Sequence, residues 1–391
     1  MTPNPGWQIL LMCFYRPGIF MRGLAFIGLM VTLAVPVYAV PPDPMTEMES
    51  VLLAQRTRPN VAQFEQARRF AEAAVKKTPN DARAWALLTW VRMIEHRFKD
   101  ALVTATRAEQ WASNDPKLLM LKSDTLIELG RYDEAATLTQ QLADAAPGIP
   151  AWTRVAHLRF LFNDLDGAIQ ILTMAARAGA AHGEPSAWVW LDLARLQLDA
   201  GNPVAAKDAI AAAERALPGL PATRGAEARL QLAAGNARAA LALYRDALNK
   251  MPSAEDALAA WRIARQLQDK GLEKHMAALL EGFAKLDLAR SRRALAEYLA
   301  ERGRFDRALD YARSEYADRP DLYSAATLAR VLDRAGKSAE AQRYAKIALA
   351  LDTPDPQLAD VRAMLTPSSD AKKPLSLKPV DKPVPQQKDA R

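Results

Sequence analysis

Eight alanines, Ala67, Ala101, Ala135, Ala168, Ala206, Ala240, Ala308 and Ala341, recur in one local setting at steps of 34, 34, 33, 38, 34, 68 and 33 residues. The long step is two units of 34. A period of this length is one supersecondary unit that cannot hide its apolar side alone and must stack on copies of itself. At 391 residues the chain has room for two or three ordinary domains or for one array whose core grows with each unit, and the period selects the array. Half the residues are hydrophobic but only 7% are aromatic, and Ala dominates many windows, which suits closely packed helices better than a sheet.

The setting is clearest at Gly130–Ala135, Gly-Arg-Tyr-Asp-Glu-Ala, where one helix ends on Gly and a second begins through Asp and Glu. Gly201, Gly235, Gly271, Gly303 and Gly336 are expected at the same corner, because a left-handed residue closes a helix most easily without a Cβ. Asn163 takes the corner in the third of these units, and His96 in the first is a departure. Prolines at Pro79, Pro116, Pro147, Pro218, Pro252, Pro320 and Pro354 mark unit ends, followed by candidate caps at Asn80, Asp81, Ser253 and Asp321. A second column, twelve residues before each second-helix Ala, holds Thr89, Ser123, Ala156, Ala194, Ala228, Ala296 and Ala329. Small residues there let paired backbones approach, with Trp85, Leu88, Trp152, Trp190 and Leu193 filling the remaining space.

These columns resemble the tetratricopeptide repeat, over roughly Met45 to Leu365. The resemblance implies an all-α helix-turn-helix solenoid of about eight to nine repeats, a right-handed superhelix whose first helices line a concave wall. Trp190–Pro218 and Gly235–Pro252 follow the pattern well. The unit between Ala240 and Ala308 departs, with Met276 and Ala277 near the expected Ala, so its helix pair is expected to be displaced. The first unit, with a leading helix around Met48–Arg56, reads as an end cap. Exported bacterial members with an Ala-rich body and an entry like Glu184–Trp188 are similar, and that similarity implies no activity. The carboxylate-clamp arrangement of Lys and Asn in adjacent units is not reproduced, so chaperone-tail recognition is not implied.

Arg16 and Arg22 precede an uncharged run, Gly23 to Ala39, ending Val37-Tyr38-Ala39 as signal peptidase requires. Residues 1–39 therefore read as a signal peptide, with Met21 a second candidate start, and the chain is expected in the periplasm. The competing reading is an uncleaved inner-membrane anchor at residues 23–42, against which Pro36, Pro41 and Pro42 argue. The lone Cys13 falls inside the leader and follows Met12, which disfavours lipidation and leaves the mature chain without thiol chemistry. Two of the +7 formal charges lie in the leader and three in the tail, so the body is nearly balanced and no nucleic-acid footprint is expected. The solenoid is expected over 40–364 and a disordered Pro- and Lys-rich tail over 365–391, whose lysines offer a weak contact with membrane or cell wall. Oligomeric state is not readable.

The family's groove-facing column falls here on Trp90, Asp124, His157, Arg195, Arg229, Arg265, Glu297 and Arg330, with Trp188, Trp261 and Tyr323 nearby as flat apolar contacts. Guanidinium groups along one wall suit carboxylates or phosphates. The alternative is a solvated face in which they pair with Asp192, Asp199 and Asp269 one turn away. Trp90, Met93, Met120 and Phe160 form a candidate N-terminal wall. His96, His157, His182 and His275 fall on different units without metal-ligand spacing, and no phosphate loop, nucleophile elbow or carboxylate pair is present. Neither a cofactor nor catalysis is expected. The function expected is a scaffold or adaptor that binds proteins or peptides along the groove in envelope assembly or secretion, the alternative being guidance of an exported anionic polysaccharide.

Overall fold

The computed structural model describes residues 43–365, apart from 180, 181 and 287. The signal-peptide reading of 1–39, the anchor alternative at 23–42 and the tail reading of 365–391 fall on residues outside the described ones, Leu365 excepted.

Among the described residues every regular element is helical. Helices α1 (Pro44–Ala54) and α2 (Val61–Lys77) open the array, followed by α3 (Ala82–Ile94) with α4 (Phe98–Ala112) and α5 (Pro116–Glu128) with α6 (Tyr132–Ala145). Next come α7 (Ile149–Leu161) with α8 (Leu165–Ala178), α9 (Glu184–Asp199) with α10 (Pro203–Ala216), and α11 (Pro221–Ala233) with α12 (Ala237–Lys250). Then follow α13 (Ala254–Gln266) with α14 (Lys270–Leu286), α15 (Arg292–Glu301) with α16 (Phe305–Asp318), and α17 (Leu322–Arg334) with α18 (Ser338–Ala348). A short α19 (Ala359–Ala363) closes the series. The array is a tetratricopeptide-type solenoid.

Corner chemistry explains the pairs. A left-handed residue stands between the helices of every pair from α3/α4 onward, with φ between 58° and 80°: His96, Gly130, Asn163, Gly201, Gly235, Gln268, Gly303 and Gly336. The amide after it reaches back to the carbonyl five residues earlier, as from Arg131 to Leu126 at 2.9 Å and from Lys337 to Leu332 at 2.9 Å. That bond satisfies a carbonyl the helix end would leave open. One corner departs from the sequence expectation: Gln268, at φ 58°, takes the position expected for Gly271, which lies inside α14. Glu273 thus occupies the Ala column, while Met276, Leu280 and Phe283 supply the buried face of α14. Three of the expected caps act as such, Asp81 accepting from the Arg83 amide at 2.8 Å, Ser253 from Asp256 at 3.1 Å and Asp321 from Ser324 at 2.7 Å, while Asn80 precedes the α3 cap and is corrected.

The two small columns meet inside each pair. Ala101, Ala135, Ala168, Ala240 and Ala308 are fully buried, as are Ala156, Ala228, Ala296 and Ala329. Where a small residue is polar, it finds a polar partner across the pair: Thr89 donates to Thr104 Oγ1 at 2.9 Å, and the Ser123 and Thr139 hydroxyls lie 2.6 Å apart. Burial of a hydroxyl is tolerated only with such a partner.

First helices approach the first helix of the next unit through most of the series, whereas second helices splay apart, so the array curves with its first helices inside. The curve is tight enough to bring its later units onto its earlier ones. The Leu322 amide donates to Tyr132 Oη at 2.8 Å across 190 positions, and the Thr353 hydroxyl donates to the Leu161 carbonyl at 2.6 Å across 192. Asn163 Nδ2 donates to Asp352 Oδ2 at 3.2 Å across 189. Arg319 Nε lies against Glu128 Oε2, and its guanidinium stands 5.7 Å from the Phe98 ring. The constant offset means that one layer stacks on another after about five and a half 34-residue units. The apolar core follows the same path, with Leu126, Ala156, Phe160 and Leu161 sharing one cluster with Leu322, Ala325, Ala329, Leu358 and Val361.

Candidate interaction surface on the inner wall

Each first helix presents the residue six before its corner to the inner wall, which places Trp90, Asp124, His157, Arg195, Arg229, Glu297 and Arg330 in one column. The corner at Gln268 moves the column in α13 to Arg262. Arg265 is therefore three residues off it, and Trp261 falls in the adjoining core column. Trp261 is only 3% exposed, edge-on to Tyr298 at 5.1 Å between centroids. The sequence expectation that Trp261 faces the groove is corrected. Arg265 stands 5.1 Å above the Trp261 ring and pairs with Glu301 at 3.3 Å.

The column is knit together by charge. Arg262 bonds Glu297 at 2.7 Å and Glu301 at 2.6 Å; Glu297 in turn meets Arg330 at 3.1 Å, and Arg330 meets Asp360 at 2.7 Å. This ladder ties α13, α15, α17 and α19. Burial pushes the Glu297 carboxyl upward, but Arg262 and Arg330 outweigh it and hold the pKa below the usual range. Arg195 pairs with Asp199 at 3.1 Å and lies 4.7 Å from the Phe160 ring, whose side chain is buried in the core. Burial raises Asp199 to about 6 in spite of Arg195, and raises the neighbouring Asp192 as well. Asp124 is clasped by both ends of the Arg154 guanidinium, at 2.7 and 2.5 Å. His157, enclosed beside Arg195 and Arg154, is pushed down to about 4 by burial first and those cations second, so it is neutral at pH 7.

Arg229 is exposed and carries no ion pair among the described residues. With Asp256, Arg262, Arg293, Glu297 and Tyr323 it lines an open recess of about 420 Å³. The Tyr323 hydroxyl is not free to serve as a flat contact alone, since it donates to Asp355 Oδ2 at 2.9 Å. Trp90 is half-buried under the Lys117 ammonium, 5.3 Å from its ring. Among the described residues no cluster of His, Cys, Asp and Glu is arranged to hold a metal, and no helix is long and apolar enough to cross a membrane.

Sequence reasoning missed Arg262, Lys117 and the interlayer group around Glu128 and Arg319. Arg262 was within reach, since a corner read at Gln268 rather than Gly271 brings it into register.

A tetratricopeptide repeat family model matches residues 92–159. Comparison with the curated proteins finds no match. Among solved structures, the human IFIT1 dimer with PPP-AAAA is similar at 16% identity and a TM-score of 0.52, over 79% of this chain and 73% of that one. The APC/C hetero-tetramer Cut9-Hcn1 is similar at 14% identity and a TM-score of 0.38, over 83% of this chain and 63% of that one. This chain thus spans less than two thirds of that relative's length. TTC0263, a thermophilic tetratricopeptide protein of Thermus thermophilus, is similar at 22% identity and a TM-score of 0.41, over 51% of this chain and 98% of that one. The family model matches at residues 92–159 and the same corners and columns continue through α18, so the chain is built as a tetratricopeptide-type solenoid, a fold that supports protein–protein interaction.

Proposed function

We propose that this chain is an exported adaptor that gathers protein or peptide partners on its inner wall in the periplasm, in envelope assembly or secretion. One observation supports the reading: first helices of successive units line one extended wall, with polar and charged groups repeated at unit spacing. Repetition of this kind suits an extended partner better than a small substrate. The leader pattern at Gly23 to Ala39 supports export.

The self-paired charges weigh against the polysaccharide alternative. Arg195, Arg262 and Arg330 already hold carboxylates of the same chain, so a polyanion would have to displace them. Crosslinking in living cells followed by purification from envelope extracts tests the adaptor role, and recovery of a defined protein partner is the expected result. Recovery of the chain alone under mild crosslinking would remove the support for it.

A further inference from the structure

Helix α1 does not behave as the first half of an ordinary unit. Its one apolar face, Met45, Met48 and Leu52, is buried against Ala67, Ala71 and Val75 of α2 and Leu87, Leu88 and Val91 of α3, with Trp90 packed at the margin. Its polar groups reach further along the wall. Asp43, the α1 cap, receives Arg83 at 3.0 Å, and Glu49 receives Lys117 at 2.6 Å from the first turn of α5. Just past the helix, Arg56 lies 3.4 Å from Glu184 and 5.2 Å above the Trp188 ring, both on α9. The helix, its cap and the connector just past it thus touch the first helices of three different units.

Three features describe a ligand in a groove rather than a structural repeat helix. The helix is acidic and its seat is basic, with Arg83 and Lys117 facing Asp43 and Glu49. Its seat is shallow: α1 buries three residues where the first helices from α3 to α17 bury four to nine, and Leu53 remains 43% exposed. The connector at 55–60 is largely exposed, held by a bond from the Asn60 amide to Gln55 Oε1 at 2.8 Å. Apolar anchors at i, i+3 and i+7 laid into an apolar groove are the recognised mode of helix capture.

We propose that α1 is a resident ligand of a helix-accepting groove, and that the groove's partner is an amphipathic helix of another protein with the same face. That face has apolar residues where α1 has Met45, Met48 and Leu52, and an acid where it has Glu49; the incoming helix displaces α1. The proposal rests on the inner wall being the interaction surface, and it narrows that surface to the seat of α1.

The test uses the full chain and a labelled synthetic peptide of residues 43–58. A variant carrying M48D and L52D releases α1, and the peptide is expected to bind it at least tenfold more tightly than the parent chain. Binding should fall at least tenfold when R83E and K117E are added, or when the peptide itself carries the two Asp. Equal binding to parent and released chains, or none to a released chain whose circular dichroism remains helical, overturns the proposal. Should the released variant fail to fold, hydrogen exchange on the parent decides: amides of α1 are expected to exchange at least a hundredfold faster than those of α3, and equal protection overturns the proposal. A parent chain that forms a dimer by trading α1 between copies would replace the foreign helix with a second copy and likewise overturn it. Partner capture in cells with α1 still protected would sink this inference while leaving the adaptor role standing.

Discussion

Gly130 and Pro320 stand on successive layers of the array, so close that a Cβ on Gly130 would lie 2.5 Å from the Pro320 carbonyl oxygen. The same glycine has φ 67°, so it answers two demands at once, the corner of its own unit and the approach of another layer. Gly235, at φ 80°, meets only the first, with no atom within 4 Å of an added Cβ. Replacing Gly235 by Ala should cost about 1–2 kcal/mol of left-handed strain. At Gly130 the same change should cost about 1–3 kcal/mol more, because the contacting atom is backbone and cannot swing aside. Thermal and urea unfolding of the two variants side by side provides the check.

Stability should peak in mildly acidic solution, because oppositely shifted groups sit near the layer contact. Burial raises Glu128 from 4.5 to about 7 in spite of Arg319. Its folded pKa exceeds its unfolded one, so its contribution is fully present below about pH 4.5 and is lost as pH rises through about 7. Burial, with nearby Arg319 and Arg293, lowers His96 from 6.5 to about 4, and burial with Arg195 lowers His157 to about 4. Their contribution is present above pH 6.5 and is lost as pH falls through about 4. E128Q should flatten the fall in melting temperature as pH rises from about 4.5 to 7, and H157Q the fall as pH drops from about 6.5 to 4, the windows between the unfolded and folded values.

The ladder through Glu297 predicts a change of ligand preference as well as stability. E297A takes one carboxylate from each of Arg262 and Arg330, which keep Glu301 and Asp360, and loss of the half-buried bond to Arg330 should cost about 1–2 kcal/mol. The freed guanidinium groups should also raise the salt needed to elute the chain from an anionic polysaccharide column. Unchanged elution would mean that the ladder does not mask the inner wall.

Much of the fold was legible because each unit repeats the same local physics. Small residues at Ala135 and Ser123, a left-handed corner at Gly130 and a cap at Asp321 are each decided within one unit, and period 34 displays them again and again. The candidate site was less legible, for two physical reasons. Gln268 turns the chain as a glycine would, and taking Gly271 as the corner shifted one helix by three residues, exchanging Arg262 for Arg265 and turning Trp261 from core toward the groove. The layer contacts, such as Tyr132 with Leu322, depend on the accumulated small rotation of every unit between them, which no local pattern encodes. The seat of α1 was hidden likewise, since Glu49 and Lys117, or Arg56 and Glu184, meet only through curvature.

Self-stacking is the relationship from which the inner wall, the Gly130 requirement and the seat of α1 all follow, and site-directed crosslinking tests it most directly. In a chain with Cys13 replaced by Ser, N163C and D352C should be joined within a single molecule by a short bis-maleimide, because the native side chains at these positions meet at 3.2 Å. An intramolecular crosslink formed in high yield, with helicity unchanged, is the predicted result. Unlinked thiols, or crosslinks formed only between molecules, would show an open array and contradict the account.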